Sequence, residues 1–158
     1  MNNIARQRKS ILLSNSSKNP NKCNPRGGQI LYNPDFDCGV DRWGFDPAYP
    51  ATITDNGDGS VHLVADSNFG SLVPSRLDGN KTPLPWGDYV VECEVANIVG
   101  TGKMSLRRTN DTWFNSPDIT TNGVHTFNYT GNVKELHVGA NADTNFEADY
   151  LYITLKKV

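Results

Sequence analysis

The chain has 158 residues, 37% apolar and 20% charged, with 15 Lys and Arg against 17 Asp and Glu and a net charge of −2. That length supports one domain plus an extension, and no apolar run approaches the roughly 18 residues that a membrane span needs. The small net charge conceals a split: Arg6, Arg8, Lys9, Lys18, Lys22 and Arg26 all precede the first acidic residue, Asp35, and the remainder carries 17 acids against 9 bases. The acidic body would repel phosphate and no aromatic residue interleaves the six arm charges, so nucleic acid is not an expected partner.

Residues 1–28 are rich in Asn and Ser and too poor in apolar side chains to fold alone, so they form a tail or are ordered by a partner. Ile11-Leu12-Leu13 is a short apolar plug, and Asn19-Pro20 and Asn24-Pro25-Arg26-Gly27-Gly28 keep the rest extended. This segment reads as an anchoring arm. Ile11, Leu12 and Leu13 would enter a groove on a neighbour while Arg6, Arg8 and Lys9 pair with its acidic surface. The plug is far shorter than the apolar core of about 7 residues in a signal peptide. The expectation is therefore synthesis in a cytoplasm, with no signal peptide and no transmembrane segment.

From Gln29 onward the pattern alternates at period two, with Gly, Asn and Asp at the breaks, which predicts an all-β domain over 29–158. Gln29–Asn33 reads as a first strand and Thr52-Ile53-Thr54 as a short second one. Asn56-Gly57-Asp58-Gly59 is a hairpin signal leading into Ser60–Ala65. Gly70–Val73 follows, then a loop from Pro74 to Pro85. Asp88–Ala96 is the clearest strand, with Tyr89, Val91, Cys93 and Val95 on one face and Glu92 and Glu94 on the other. Lys103–Arg108, Thr112–Asn115, the His125/Phe127/Tyr129 segment and the Leu136/Val138 segment alternate too. Asp149–Leu155 closes the chain with Leu151, Ile153 and Leu155 inward. About nine short strands of this kind fit a two-sheet antiparallel sandwich.

Three cysteines, Cys23, Cys38 and Cys93, are an odd count that argues against a disulfide framework. Cys93 sits on an apolar strand face and reads as core. His62, His125 and His137 have no metal-binding spacing, and neither a nucleophile elbow nor a phosphate-binding loop occurs, so the chain is not expected to be an enzyme.

Three motifs recur in order. Asn33-Pro-Asp-Phe36-Asp37-Cys-Gly39, followed by Trp43, has the form N-x-x-F-[ED]-x-G…W. Gly87-Asp-Tyr89 opens the middle strand. Phe146-Glu-Ala-Asp149 places an acid just before the last alternating segment. Together they resemble the jelly-roll carbohydrate-binding modules of the xylan- and glucan-binding type, within the galactose-binding-like superfamily, over roughly 29–158. The resemblance implies a jelly-roll β-sandwich with Phe36 and Trp43 in its core. It also implies a structural calcium held by Asp37, the Gly39 carbonyl and Asp149, whose hard oxygens suit that ion; no cofactor is otherwise required. Sugar binding in such modules uses aromatic faces and polar partners. The candidates here are Trp113, Phe114, Trp86, Tyr49 and Phe69, with Arg107, Arg108 and Asn115. Relatives are usually appended to a secreted hydrolase, whereas this chain carries neither an enzyme nor an export signal.

Arm and body together lead to the expectation of a non-enzymatic virion structural or decoration protein of a tailed phage, a capsid auxiliary, head-fibre or tail component. Its arm would anchor it and its jelly-roll domain would adhere to glycans. The expected partners are other subunits of that assembly or further copies of the chain, together with surface glycans, and no membrane. The alternative is a free carbohydrate-binding module of a glycan-degrading system. Phe36, Trp43, Tyr89, Val91, Cys93, Phe127, Leu151 and Ile153 are the expected core.

Overall fold

The period-two segments become strands. The computed structural model describes residues 29–65, 69–76, 81–141 and 145–158. The arm of residues 1–28 lies outside these, and with it the anchoring reading of Arg6, Arg8, Lys9, Ile11, Leu12 and Leu13. The strands are β1 (Trp43–Gly44), β2 (Thr52–Asp55), β3 (Val61–Ala65), β4 (Ser71–Pro74), β5 (Leu84–Gly100), β6 (Gly102–Arg107), β7 (Trp113–Asn115), β8 (Gly123–Val133), β9 (Glu135–Ala140) and β10 (Phe146–Lys157). No helix occurs among the described residues, so none is long and apolar enough to cross a membrane.

Two five-stranded sheets form, in the orders β1-β4-β9-β6-β7 and β2-β3-β10-β5-β8, and every pairing within them is antiparallel. Their inner faces meet as a β-sandwich. The first sheet contributes Leu72, Met104, Leu106, Leu136 and Val138. The second contributes Leu63, Tyr89, Val91, Cys93, Val95, Phe146, Tyr150, Ile153 and Leu155, all of them buried. The Asn56–Gly59 signal does join β2 to β3. Gly57 and Gly59 take φ of 74° and 80° there, a left-handed backbone that glycine adopts without steric cost, and Asp55 Oδ1 accepts from the Gly57 amide at 2.8 Å.

Several expectations need correction. Gln29–Asn33 is not a strand: Gln29 makes one isolated bridge to Lys156, and Asn33, with φ of 49°, turns the chain away. Leu151 is only half-buried. Tyr150 faces Val95 while Tyr152 faces Glu94, so Leu151 is the extra residue of a β-bulge. The bulge shifts the inward phase of β10 from Phe146, Ala148 and Tyr150 to Ile153 and Leu155. Phe127 is also half-buried, packed at the margin of the core. Cys38 is disulfide-bonded although the cysteine count is odd: an odd number prevents complete pairing, not a single bridge. Cys93 is free and buried, and burial pushes its thiol up to about 12, which leaves it inert as a nucleophile.

Candidate functional site

The outer face of the first sheet is built from the second phase of the same alternation. Lys103, Ser105 and Arg107 on β6 stand opposite Gly139, His137 and Glu135 on β9. Ser105 and Arg107 in turn face Asn115 and Trp113 on β7, and Ser71 on β4 faces Gly139. Three cross-strand rows result: Ser71–Gly139–Lys103, His137–Ser105–Asn115, and Glu135–Arg107–Trp113. An outer sheet face is normally wet. Here Ser71, Lys103, Ser105, Glu135 and His137 are all buried, because two loops and β7 raise walls around them.

Each wall has a local cause. Asp46 Oδ1 accepts from the Ala48 amide at 2.8 Å and the Asp46 carbonyl accepts from the Tyr49 amide at 2.8 Å, a turn stabilised by an aspartate side chain that presents Tyr49. Phe69 is held in a left-handed conformation with φ of 63°, a strained state for a bulky residue of the kind that gathers at functional sites. Tyr49 and Phe69 meet edge to face with ring centroids 5.8 Å apart. On the opposite side the β6–β7 hairpin, closed by Arg108 N–H donating to the Thr112 carbonyl at 2.9 Å, sets Trp113 against Arg107. The result is a groove of about 290 Å³ lined by Tyr49, Phe69 and Trp113 as walls and by Ser71, Lys103, Ser105, Asn115, His137, Gly139 and Ala140 below. A side chain at position 139 would collide with the Gly70 carbonyl and Ser71, so glycine is what lets β4 and β9 approach this closely beneath the groove.

The polar floor is wired internally. Arg107 donates to both oxygens of Glu135 at 3.0 and 3.2 Å and pairs with Asp111 at 3.0 Å, while its guanidinium lies 5.5 Å from the Trp113 ring centre. His137 has Nδ1 3.0 Å from Ser71 Oγ. Burial pushes its imidazole below the ordinary 6.5, against the upward pull of Glu135 and Asp46. Asp46, Glu135 and His137 offer three ligand atoms within 4.8 Å of one another. However, Arg107 already neutralises Glu135 and Ser71 engages His137, so these groups are committed to one another, although the buried Arg107 Nε has no hydrogen-bond partner.

Of the proposed sugar-binding residues, the groove brings together Trp113, Tyr49, Phe69 and Asn115, with Arg107 beside them. Phe114 and Trp86 do not line it. Phe114 takes the inward phase of β7 and packs against Tyr129, and Trp86 stands 62% exposed on β5. Both instead flank Arg108, whose guanidinium lies 4.2 Å from the Phe114 ring centre and 4.9 Å from that of Trp86 while its Nε donates to Tyr129 Oη at 2.9 Å. Lys103, Ser105 and His137 were not among the sequence candidates. Their signal is the polar phase of Lys103–Arg107 and Glu135–Gly139, which becomes a site only once the register aligns the two strands.

Asp37, Gly39 and Asp149 do not fit a calcium ion. The buried Asn33 amide donates to the Gly39 carbonyl at 2.9 Å and to the Asp41 carbonyl at 2.8 Å, so an N–H group already takes the carbonyl that the ion would bind. Asp149 accepts from Asn56, Asn97 and His62, and Asp37 is exposed. The Gly39 carbonyl and the Asp149 carboxylate are thus already supplied with donors, and an exposed Asp37 alone does not make the multi-oxygen cage that calcium takes.

No protein-family model and no curated protein sequence matches the chain. Solved structures do. An Arg-to-Ala mutant of a family 29 carbohydrate-binding module aligns with a TM-score of 0.51 at 12% identity, covering 82% of this chain and 89% of that one. A Glu-to-Arg mutant of a family 29 module aligns with a TM-score of 0.50 at 12% identity, covering 81% and 88%. The fold is that of the jelly-roll carbohydrate-binding modules. At this identity the likeness establishes architecture, and function rests on the groove.

Proposed function

We propose that the chain is a non-catalytic glycan-binding module whose site is the groove across the β4-β9-β6-β7 face. The observation that carries this reading is the convergence of three aromatic side chains, Tyr49, Phe69 and Trp113, over a floor of hydroxyl, amide, imidazole and ammonium groups. Aromatic faces suit the C–H surfaces of pyranose rings, and the floor supplies the donors and acceptors that sugar hydroxyls require. At about 290 Å³ the groove sits at the lower edge of the roughly 300–1,000 Å³ typical of ligand sites, room for a short stretch of a longer chain. The reading is tested by electrophoresis through gels containing soluble polysaccharides, with wild type beside Tyr49→Ala. Retention of the wild type by at least one polymer and loss of it in the variant are expected. Migration of the wild type unretarded in every polymer defeats the reading.

We further propose that residues 1–28 attach this module to a larger assembly, a virion in the specific form suggested by the sequence. The support is the charge split, six uncompensated cations preceding an acidic body. A module displayed in many copies gains avidity from weak individual sites. Deleting residues 1–28 should leave a folded sandwich that no longer joins the assembly, and normal incorporation of the truncated protein would rule the arm out as the attachment.

A further inference from the structure

Lys103 is anomalous among the groove residues. It occupies the outward phase of β6, is only 9% exposed, and lines the groove. Its Nζ rests 5.1 Å from the centre of the Phe69 ring. Among the described residues no carboxylate lies within ion-pair distance of it. Arg107, two positions along the same strand, is held by Glu135 and Asp111, and Lys134 by Asp111. A buried ammonium without an acid is costly. The cost appears in its proton affinity, which burial lowers from the ordinary 10.5 despite the opposing upward pull of Asp118. The residue across the strand pair is Gly139, which contributes no side chain and packs closely against Gly70 and Ser71, so no neighbouring side chain on β9 reaches the ammonium.

The acids Glu135 and Asp46 lie at the other end of the groove. Glu135 is four residues along β9 from Gly139, about 13 Å at strand rise, and is neutralised by Arg107. Asp46 faces His137 rather than Lys103. The groove is therefore electrostatically lopsided, with an uncompensated cation at the Phe69 end and a closed ion-pair network at the Trp113 end. The Phe69 face adds to the selection: its ring offers a cation–π contact that holds the ammonium in place and an apolar surface for a sugar ring.

From this arrangement, and resting on the glycan-binding reading above, we infer that the groove selects an acidic polysaccharide, with the carboxylate of a uronic acid residue seated against Lys103 Nζ. A carboxylate there gives the Lys103 ammonium the ion pair that no described residue provides. A single point charge on a flexible stem suits one carboxylate, whereas a sulfate ester would favour the guanidinium fork, and Arg107 already spends its fork on Glu135.

The test uses the full chain and three polymers: polygalacturonate, the same polymer with its carboxyl groups reduced to alcohols, and a sulfated galactan. Wild type should bind polygalacturonate about tenfold or more tighter than the reduced polymer, with an advantage that shrinks as salt rises. Lys103→Met, which keeps the stem, should lose that advantage, so that its affinities for the acidic and the reduced polymer converge, while keeping a wild-type circular dichroism spectrum. Lys103→Arg, which keeps the charge, should retain part of it. Equal binding of the acidic and reduced polymers by wild type overturns the inference and leaves the glycan-binding reading standing. So does an undiminished preference in Lys103→Met, and so does binding confined to the sulfated galactan. Binding of none of the three polymers, nor of any other glycan, overturns both.

Discussion

The indole of Trp113 stands edge-on to the imidazole of His137, with ring centroids 4.9 Å apart and planes at 84°. One residue is on β7 and the other on β9, with β6 between them, so the contact spans the face on which the groove is built. His137 is fixed from below by Ser71 and in turn props the indole at 36% exposure, leaving one side of the ring toward the groove. Trp113→Ala should reduce glycan retention about tenfold or more, the scale of a buried aromatic anchor in an interface. Its urea midpoint should stay close to wild type, because Trp113 lies outside the hydrophobic core. Unchanged retention would remove Trp113 from the site.

The bulge at Leu151 makes a contrast between neighbours. Ile153 is fully buried and Ile153→Ala should cost about 2–5 kcal/mol. Leu151, half-buried outside the inward phase, should cost distinctly less when truncated to Ala. Equilibrium denaturation of the two variants decides the matter, and equal losses would contradict the bulged register.

Asp149 gives the domain an acid-sensitive element. Burial alone would raise its carboxyl, but hydrogen bonds from Asn97, His62 and Asn56 outweigh that and hold it below the ordinary 3.8. A carboxyl depressed in the folded state contributes stability above its unfolded value, near 3.9, and that contribution is lost as pH falls through the folded value. Asp149→Asn should therefore be less stable than wild type at pH 7, with the gap closing below about pH 4. Thermal melts across that range would show it; a gap that persists at the lowest pH would assign the loss to something other than charge.

Asn33 does with an amide what the sequence resemblance assigned to an ion. Its side chain donates to the Gly39 and Asp41 carbonyls and accepts from the Cys38 amide at 3.0 Å, tying the first turn beneath Trp43, whose Nε1 donates to the Asn33 carbonyl at 2.9 Å. Asn33→Ala strands those groups, at about 1–3 kcal/mol for each that stays buried, and should lower the melting temperature clearly. Added calcium or a chelator should leave the wild-type midpoint unmoved. A calcium-dependent rise would restore the ion to this turn.

Alternation by itself determined most of the architecture. Tyr89, Val91, Cys93 and Val95 alternate with Glu92 and Glu94 because successive side chains of a strand face opposite ways. That pattern demands a sheet with one buried face whatever its neighbours are, and the Asn56–Gly59 turn could be placed because glycine tolerates the backbone it needs. Local pattern could not see the insertion of one residue at Leu151, since a bulge is defined by the partner strand. Nor could it distinguish Trp113, which walls the groove, from Phe114 and Trp86, which pack around Arg108. That choice follows from which face of β7 each takes and from which loops fold over the sheet. Lys103 and His137 show the limit most plainly. In sequence each is a polar residue on the solvent phase of an ordinary strand. Tertiary structure closed Tyr49, Phe69 and Trp113 over that phase, buried it, and left the Lys103 ammonium without a carboxylate among the described residues.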